Sequence, residues 1–262
     1  MSFTSSNIIE LLVKHLKQQQ LEELNQVLYN FIKQEKTKNL GITKTPVLFS
    51  MGKKIGKILQ DEKHNLENFL LQWWKKSYNE KKYLVQGLYT GRETRLIMVG
   101  ILHVFAKIDP LYVCSFITKI IDDIHDWETC DQLALRVVVH GLIKEEDHCL
   151  SLLEKWRNSA NKWHRRLAVA TIPPYIRAKK DQADFCLQFI DKMMHEKDKD
   201  VLKAIGWALR EISKKAPEKV YRFLMQYSRK PDKNITYIIR EGMKKLPNNQ
   251  QSTLLYFIQN EN

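Results

Sequence analysis

KDVLKAIGWALREISKK, residues 199–215, sets the architecture. Val201, Ala204, Ile205, Ala208, Leu209 and Ile212 recur every three or four residues and make one apolar helix face. The other face carries Lys203, Trp207, Arg210, Glu211 and Lys214. A step of 37 residues finds similar material on both sides: Arg166, Lys203 and Arg240 coincide. The helices before them repeat too. Tyr112, Cys149, Cys186 and Phe223 share one register position; Val113, Leu150, Leu187 and Leu224 share the next; Phe116, Leu153, Ile190 and Tyr227 share another. A two-helix unit of about 37 residues has the length of an α-solenoid repeat, the HEAT type being nearest. The expected fold is all-α, a right-handed α-solenoid of HEAT-like repeats in a single domain over 1–262, with 1–62 as divergent N-terminal helices.

The rest of the chain agrees with a helical reading. Helix periodicity fits 7–18, 22–33, 46–60, 66–77, 92–107, 110–124, 127–143, 145–157 and 162–178. It continues over 181–195, 199–215, 217–229 and 234–246, with no candidate strand. Thr45-Pro46 reads as an N-cap followed by an N1 proline, and Asp109-Pro110 and Ala216-Pro217 as helix starts. Pro173-Pro174 must bend or end its helix. Lys75–Lys82 (KKSYNEKK) is the most loop-like run. Glycine and proline total only 9 and 7, too few for a fold built on tight turns or phosphate-cradling loops.

A formal charge of +13 favours a polyanionic partner. No apolar run is long enough to span a bilayer, and no helix is both strongly basic and strongly hydrophobic on opposite faces, so a membrane partner is not expected. The start, MSFTSSNIIELLVKHLKQQQ, lacks the basic and apolar regions of a secretory signal. Cys114, Cys130, Cys149 and Cys186 each fall at an apolar helix position with no C-x-x-C spacing, as buried reduced thiols do. A cytoplasmic location is expected, nucleoid-associated in a bacterial cell.

Three successive second helices carry cations with an aromatic among them. The groups are Lys162, Trp163, Arg166 and Arg177; Lys203, Trp207, Arg210 and Lys214; and Lys233, Tyr237, Arg240 and Lys244. A charged face is ordinarily just solvated. Its repetition with aromatics suits phosphates and stacking on sugars or bases. Trp127 and Asp131 are four residues apart and share a helix face with Ala134 and Leu135. An acid there is either a first-turn carboxylate favouring the helix dipole or a functional group on an apolar face.

The strings DWETCD (126–131), NKWHRR (161–166) and KAIGWALRE (203–211) resemble the AlkD family of DNA alkylation-repair glycosylases, over roughly residues 92–246. GITKTP (41–46) resembles the family's short turn between early helices. The resemblance implies HEAT-like repeats and excision of N3- and N7-alkylated purines from duplex DNA. It places the catalytic aspartate on Asp131, the sugar-facing tryptophans on Trp127 and Trp207, and a DNA-contacting arginine on Arg166. The family's N-terminal aromatic is matched by Tyr29, by Phe31 or by neither. Trp163, Arg165, Lys203, Arg210, Lys214, Arg240 and Lys244 complete the expected DNA surface.

A purine alkylated at N3 or N7 is cationic, so its glycosidic bond is already weak. The enzyme need not protonate the leaving base. A carboxylate can stabilise charge developing on the deoxyribose and position a water. Two indoles add cation–π attraction of about 0.5–2 kcal/mol each. Nothing in the sequence reads as a base-flipping pocket, and the resemblance implies that the sugar rather than the base is held. Nucleotide-binding and hydrolase motifs are absent, as are Cys/His clusters, so no metal, cofactor or lyase chemistry is expected. A monomer is expected. The competing reading is a non-catalytic HEAT-repeat protein that binds bent or branched DNA. A protein-binding scaffold would need hydrophobic anchors where Lys203, Arg210 and Arg240 stand.

Overall fold

The computed structural model describes residues 5–39, 43–78, 84–85, 88–89 and 91–260. They are almost wholly helical. The chain divides into two compact units, Met1–Ile124 and His125–Asn262.

In the first unit the helices are α1 (Ser5–Lys17), α2 (Leu21–Asn39), α3 (Thr45–Leu59), α4 (Lys63–Ser77), α5 (Gly91–Ile108) and α6 (Pro110–Ile120). Their apolar faces enclose a core that includes Leu12, Leu28, Leu48, Trp73, Trp74 and Phe105. Glycine permits the tight crossing of α3 and α5: a Cβ on Gly52 would stand 2.9 Å from the Gly100 Cα and closer still to the Ile97 carbonyl oxygen. Tyr29 and Phe31, the two candidates for an N-terminal aromatic, are both buried in this unit.

Three expectations are corrected here. A minimal antiparallel hairpin pairs Leu84–Val85 with Leu88–Tyr89, where no strand is expected; two residues per strand are too few to register as a period. Thr45 is not a cap. The N-cap of α3 is Lys44, without a side-chain bond, and the Thr45 hydroxyl accepts from Arg92 Nη2 at 3.1 Å. Lys75–Ser77 of the loop-like run are the last turn of α4, and 79–82 lie outside the described residues. Gly41 and Ile42 of the GITKTP string also lie outside them.

The second unit contains α7 (Trp127–Leu133), α8 (Val139–Lys144), α9 (Glu146–Arg157), α10 (Lys162–Ala170) and α11 (Ile172–Ala178). It continues with α12 (Ala183–Asp191), α13 (Lys199–Ser213), α14 (Pro217–Gln226), α15 (Lys233–Gly242) and α16 (Asn248–Asn260), the last being a helix beyond the expected set. A π-helical turn, Ala134–Val138, joins α7 to α8. Thr171 separates α10 from α11 just ahead of Pro173-Pro174, as proline's missing donor requires.

Four helices of this unit start on an aspartate or asparagine whose side chain takes orphan backbone N–H groups. Asp126 accepts from Thr129 N, Asn161 from Trp163 N, Asp198 from Asp200 N, and Asp232 from Asn234 N and Ile235 N. The caps fix where each of α7, α10, α13 and α15 begins. These helices pack side by side: α7 on α10, α10 on α13, and α13 on α15. Of the repeated positions after residue 124, Cys149, Leu153, Cys186, Leu187, Ile190, Phe223 and Leu224 are buried, and Leu150 and Tyr227 are half-buried. The four cysteines are buried and free, and burial raises the Cys186 thiol to about 12. No helix among the described residues is long and apolar enough to cross a membrane.

Candidate nucleic-acid interface and carboxylate site

Counting from the caps explains the site. Asp131, Arg166, Lys203 and Tyr237 each stand five residues after their cap, the same offset on four neighbouring helices. Asp131 and Arg166 meet. Arg166 Nε donates to Asp131 Oδ1 at 2.9 Å, and Nη2 donates to Oδ2 at 2.7 Å. Nη1 donates to the Asp200 backbone carbonyl, which ties the pair to the first turn of α13. The side chains are 7% and 13% exposed, so the pair is largely desolvated. Asp131 thus faces an arginine of the next helix rather than a purely apolar surface, which the sequence order of α7 alone could not show.

Burial pushes the Asp131 carboxyl above the usual carboxylate range, and the Arg166 fork pulls against that without cancelling it. Arg166 stays charged: burial works against the cation, but bonding to Asp131 outweighs it. The π turn begins just past Asp131, with the Ala134 N–H shared between the Asp131 and Cys130 carbonyls. Single π turns of this kind are frequent at functional sites.

Trp127, one turn before Asp131, is 59% exposed, an unusual state for an indole. Cys130 Sγ donates to the Trp163 carbonyl at 3.6 Å and holds α7 against α10. Trp163 is half-buried, with the Lys162 ammonium 4.7 Å over its ring. Lys162 is fixed in turn by Asp200 at 2.7 Å, which holds the Asp200 carboxyl below its usual range. Trp207 is half-buried and seven residues past Asp200, about 10 Å along the axis of α13.

The expected DNA-facing cations are in three different situations. Lys203 and Arg240 are exposed and have no carboxylate within salt-bridge distance among the described residues. Arg210 pairs with Glu241 at 2.7 Å, and Glu241 also holds Lys244 at 2.5 Å. Lys214 pairs with Glu211 at 2.5 Å, and Arg177 with the same carboxylate at 3.5 Å. Arg165 is the most tied of all. It forks onto Glu196 at 2.7 and 3.1 Å and donates to the Ser159 and Ala160 carbonyls, both at 2.9 Å. Sequence reading missed Glu196, Asp200 and Glu241, because their partners lie on other helices.

Gly206, inside KAIGWALRE, has a packing reason. A Cβ there would stand 2.5 Å from Glu241 Cβ, so only glycine lets α15 lie this close to α13 and bring Glu241 to Arg210. Among the described residues no group of three His, Cys, Asp or Glu side chains is placed to hold a metal ion.

The second unit thus places an acid forked by an arginine on helices that also carry exposed cations. The chain belongs to the DNA alkylation repair enzyme family, whose model matches residues 12–246. Membership gives it a role in DNA repair, with DNA as its partner. Among solved structures, that of smu.31 from Streptococcus mutans UA159 is similar with a TM-score of 0.48 and 20% identity, covering 75% of this chain and 100% of that one. No curated protein matches the chain significantly.

Proposed function

We propose that the protein is a monofunctional DNA glycosylase that hydrolyses the N-glycosidic bond of cationic N3- and N7-alkylpurines in duplex DNA. Asp131 stabilises the charge developing on the deoxyribose, and Trp127 and Trp207 flank the sugar. Arg166, Trp163, Lys203, Arg210, Lys214, Arg240 and Lys244 contact the DNA backbone. No cofactor takes part and the protein acts as a monomer. The reading of the chain as a right-handed solenoid of HEAT-like repeats is supported by the capped helices recurring through the second unit.

The observation that carries the proposal is the carboxylate itself. Asp131 is 13% exposed and sits one turn from an indole that is open to solvent. A desolvated anion acts on a developing cation far more strongly than a hydrated one does. Arg166 is its counter-ion in the free protein and opposes the upward push that burial gives its carboxyl. A DNA phosphate that drew Arg166 away would leave the carboxylate facing the sugar.

The same ion pair favours a second reading, in which Asp131 only cements α7 to α10 and the protein binds bent or branched DNA without chemistry. Release of 7-methylguanine from methylated duplex DNA separates the two. The glycosylase releases it, and Asp131→Asn does so about 10–10³-fold more slowly; a wild-type protein that binds DNA but releases no base is the architectural one.

A further inference from the structure

Arg157 closes α9, and its side chain is only 4% exposed. One face of its guanidinium is covered by the Phe189 ring, 4.7 Å from Cζ to the ring centroid. Nη2 reaches Glu154 Oε1 at 3.4 Å, a long contact. That carboxylate is half exposed and is shared with Lys192 at 3.8 Å. Nε is buried with no acceptor. A desolvated guanidinium offers five donors and a full charge, and both are costly to leave uncompensated. Arg157 is short of acceptors and of countercharge.

Arg157 lines a cavity of about 370 Å³ with Arg165, Lys192, His195, Glu196 and Lys197. The one acid in this wall is already used. Glu196 is forked by Arg165 and accepts the backbone N–H groups of Lys197 and Asp198 at 2.8 and 2.9 Å. Arg157, Lys192 and Lys197 therefore face the cavity in excess of negative charge, with His195 beside them. None of these three cations belongs to the row of Lys203, Arg210 and Arg240, or touches Asp131.

We propose that this cavity binds a phosphate monoester or inorganic phosphate dianion, with Arg157 as the anchor and Lys192 and Lys197 flanking it. A carboxylate would satisfy the guanidinium alone. A tetrahedral dianion has oxygens for the planar fork and for two ammonium groups together. An internal phosphodiester is shielded on both sides by sugars and does not fit against a guanidinium this deeply buried. The phosphate comes from a free small molecule or from the 5′ end of a DNA strand. The site does not depend on the glycosylase reading: of its lining only Arg165, forked onto Glu196, is among the residues expected at the DNA surface, and the anion is held by Arg157, Lys192 and Lys197.

The test is calorimetric titration of the full chain with sodium phosphate at fixed ionic strength, and separately with a short duplex carrying 5′-phosphate or 5′-hydroxyl ends. A free-phosphate site gives saturable binding of inorganic phosphate with Kd below about 1 mM, and equal affinity for the two duplexes. A strand-end site gives affinity about tenfold higher for the phosphorylated duplex. In either case Lys192→Gln/Lys197→Gln weakens the phosphate-dependent binding about tenfold, whereas Lys179→Gln/Lys180→Gln, on exposed lysines elsewhere in the unit, leaves it unchanged. Arg157→Gln abolishes it, with folding followed by circular dichroism; the lysine variants carry the test should Arg157→Gln fail to fold. Absence of saturable phosphate binding and of any preference between duplexes overturns the proposal. So does an equal loss in the two double-lysine variants, which would mean general charge attraction rather than a site.

Discussion

Arg166 grips Asp131 through two parallel hydrogen bonds, at 2.9 and 2.7 Å, across 35 residues of sequence. The pair links α7 to α10, and the third donor of Arg166 carries the link to α13 through the Asp200 carbonyl. Helices α7, α10 and α13 are thus joined at the carboxylate proposed to act on DNA. A structural and a chemical role meet in the same side chain, so mutants of Asp131 must be read for both.

Asp131→Asn keeps the shape and one acceptor for Arg166. Its base-release rate per folded molecule is expected to fall about 10–10³-fold, corresponding to a lost electrostatic contribution of about 1.5–4 kcal/mol. Asp131→Ala leaves a buried guanidinium without its anion and should also lose about 3–5 kcal/mol of stability. Single-turnover release of 7-methylguanine, with the folded fraction from circular dichroism, separates the two effects. An unchanged rate in Asp131→Asn would make the carboxylate purely structural.

DNA affinity should distinguish free from paired cations. Each phosphate neutralised adds about −0.9 to the slope of log K against log[salt], and about 4–7 such contacts are expected. Lys203→Ala and Arg240→Ala, which remove unpaired charges, should each make the slope shallower by about 0.9. Arg210→Ala should change it less, because removing the arginine releases Glu241 beside the DNA. Fluorescence anisotropy across a salt series measures this. A slope that is flat in the wild type would remove the DNA surface.

Gly206→Ala should cost about 1–3 kcal/mol through forced separation of α13 and α15. It should also loosen the Arg210–Glu241 pair, whose carboxylate begins at the crowded Cβ. Urea denaturation at neutral pH gives the first quantity. Ala208→Gly, on the same helix but away from that contact, should cost no more than about 1 kcal/mol plus the loss of one methyl group.

Burial raises the Glu196 carboxyl, but the Arg165 fork and the backbone donors of Lys197 and Asp198 outweigh it and hold it below its usual range. A carboxylate depressed in the folded state adds stability that is full above its unfolded pKa, about 4.3, and is lost as pH falls through the lower folded value. Glu196→Gln should therefore lose about 1.5–3 kcal/mol near neutral pH and show a flatter acid limb. Urea midpoints between neutral pH and pH 3 test this; parallel acid limbs for the two proteins would contradict it.

Much of the helix set was readable from apolar spacing, since burial of one face imposes a 3.6-residue period whatever the partner. Pro110, Pro173 and Pro217 marked starts and a break because proline lacks a donor wherever it stands. The hairpin at 84–89 was not readable, being too short for any period, nor was α16, whose residues Asn248–Asn260 begin with a polar run. Thr45 was misread because a cap is a backbone conformation as well as a residue type, and at this helix start it is Lys44 that adopts it.

For the candidate site, the local pattern singled out Asp131, Trp127, Arg166 and Trp207, because helix spacing is a property of the chain itself, and the structure brings Asp131 and Arg166 together. Asp126, Asn161 and Asp198 are a further signal in the chain, since Asp131, Arg166 and Lys203 each follow their cap by five residues. What no spacing could give is who pairs with whom. Glu241 reaches Arg210 only because Gly206 admits α15, and Glu196 reaches Arg165 only because the turn after α12 folds back beside the start of α10. The sequence by itself determined the helices and the charges on their faces. Tertiary packing decided which cations are spent on neighbouring carboxylates and which are not, because an ion pair depends on a separation of a few ångströms that helices far apart in the chain set only when they touch.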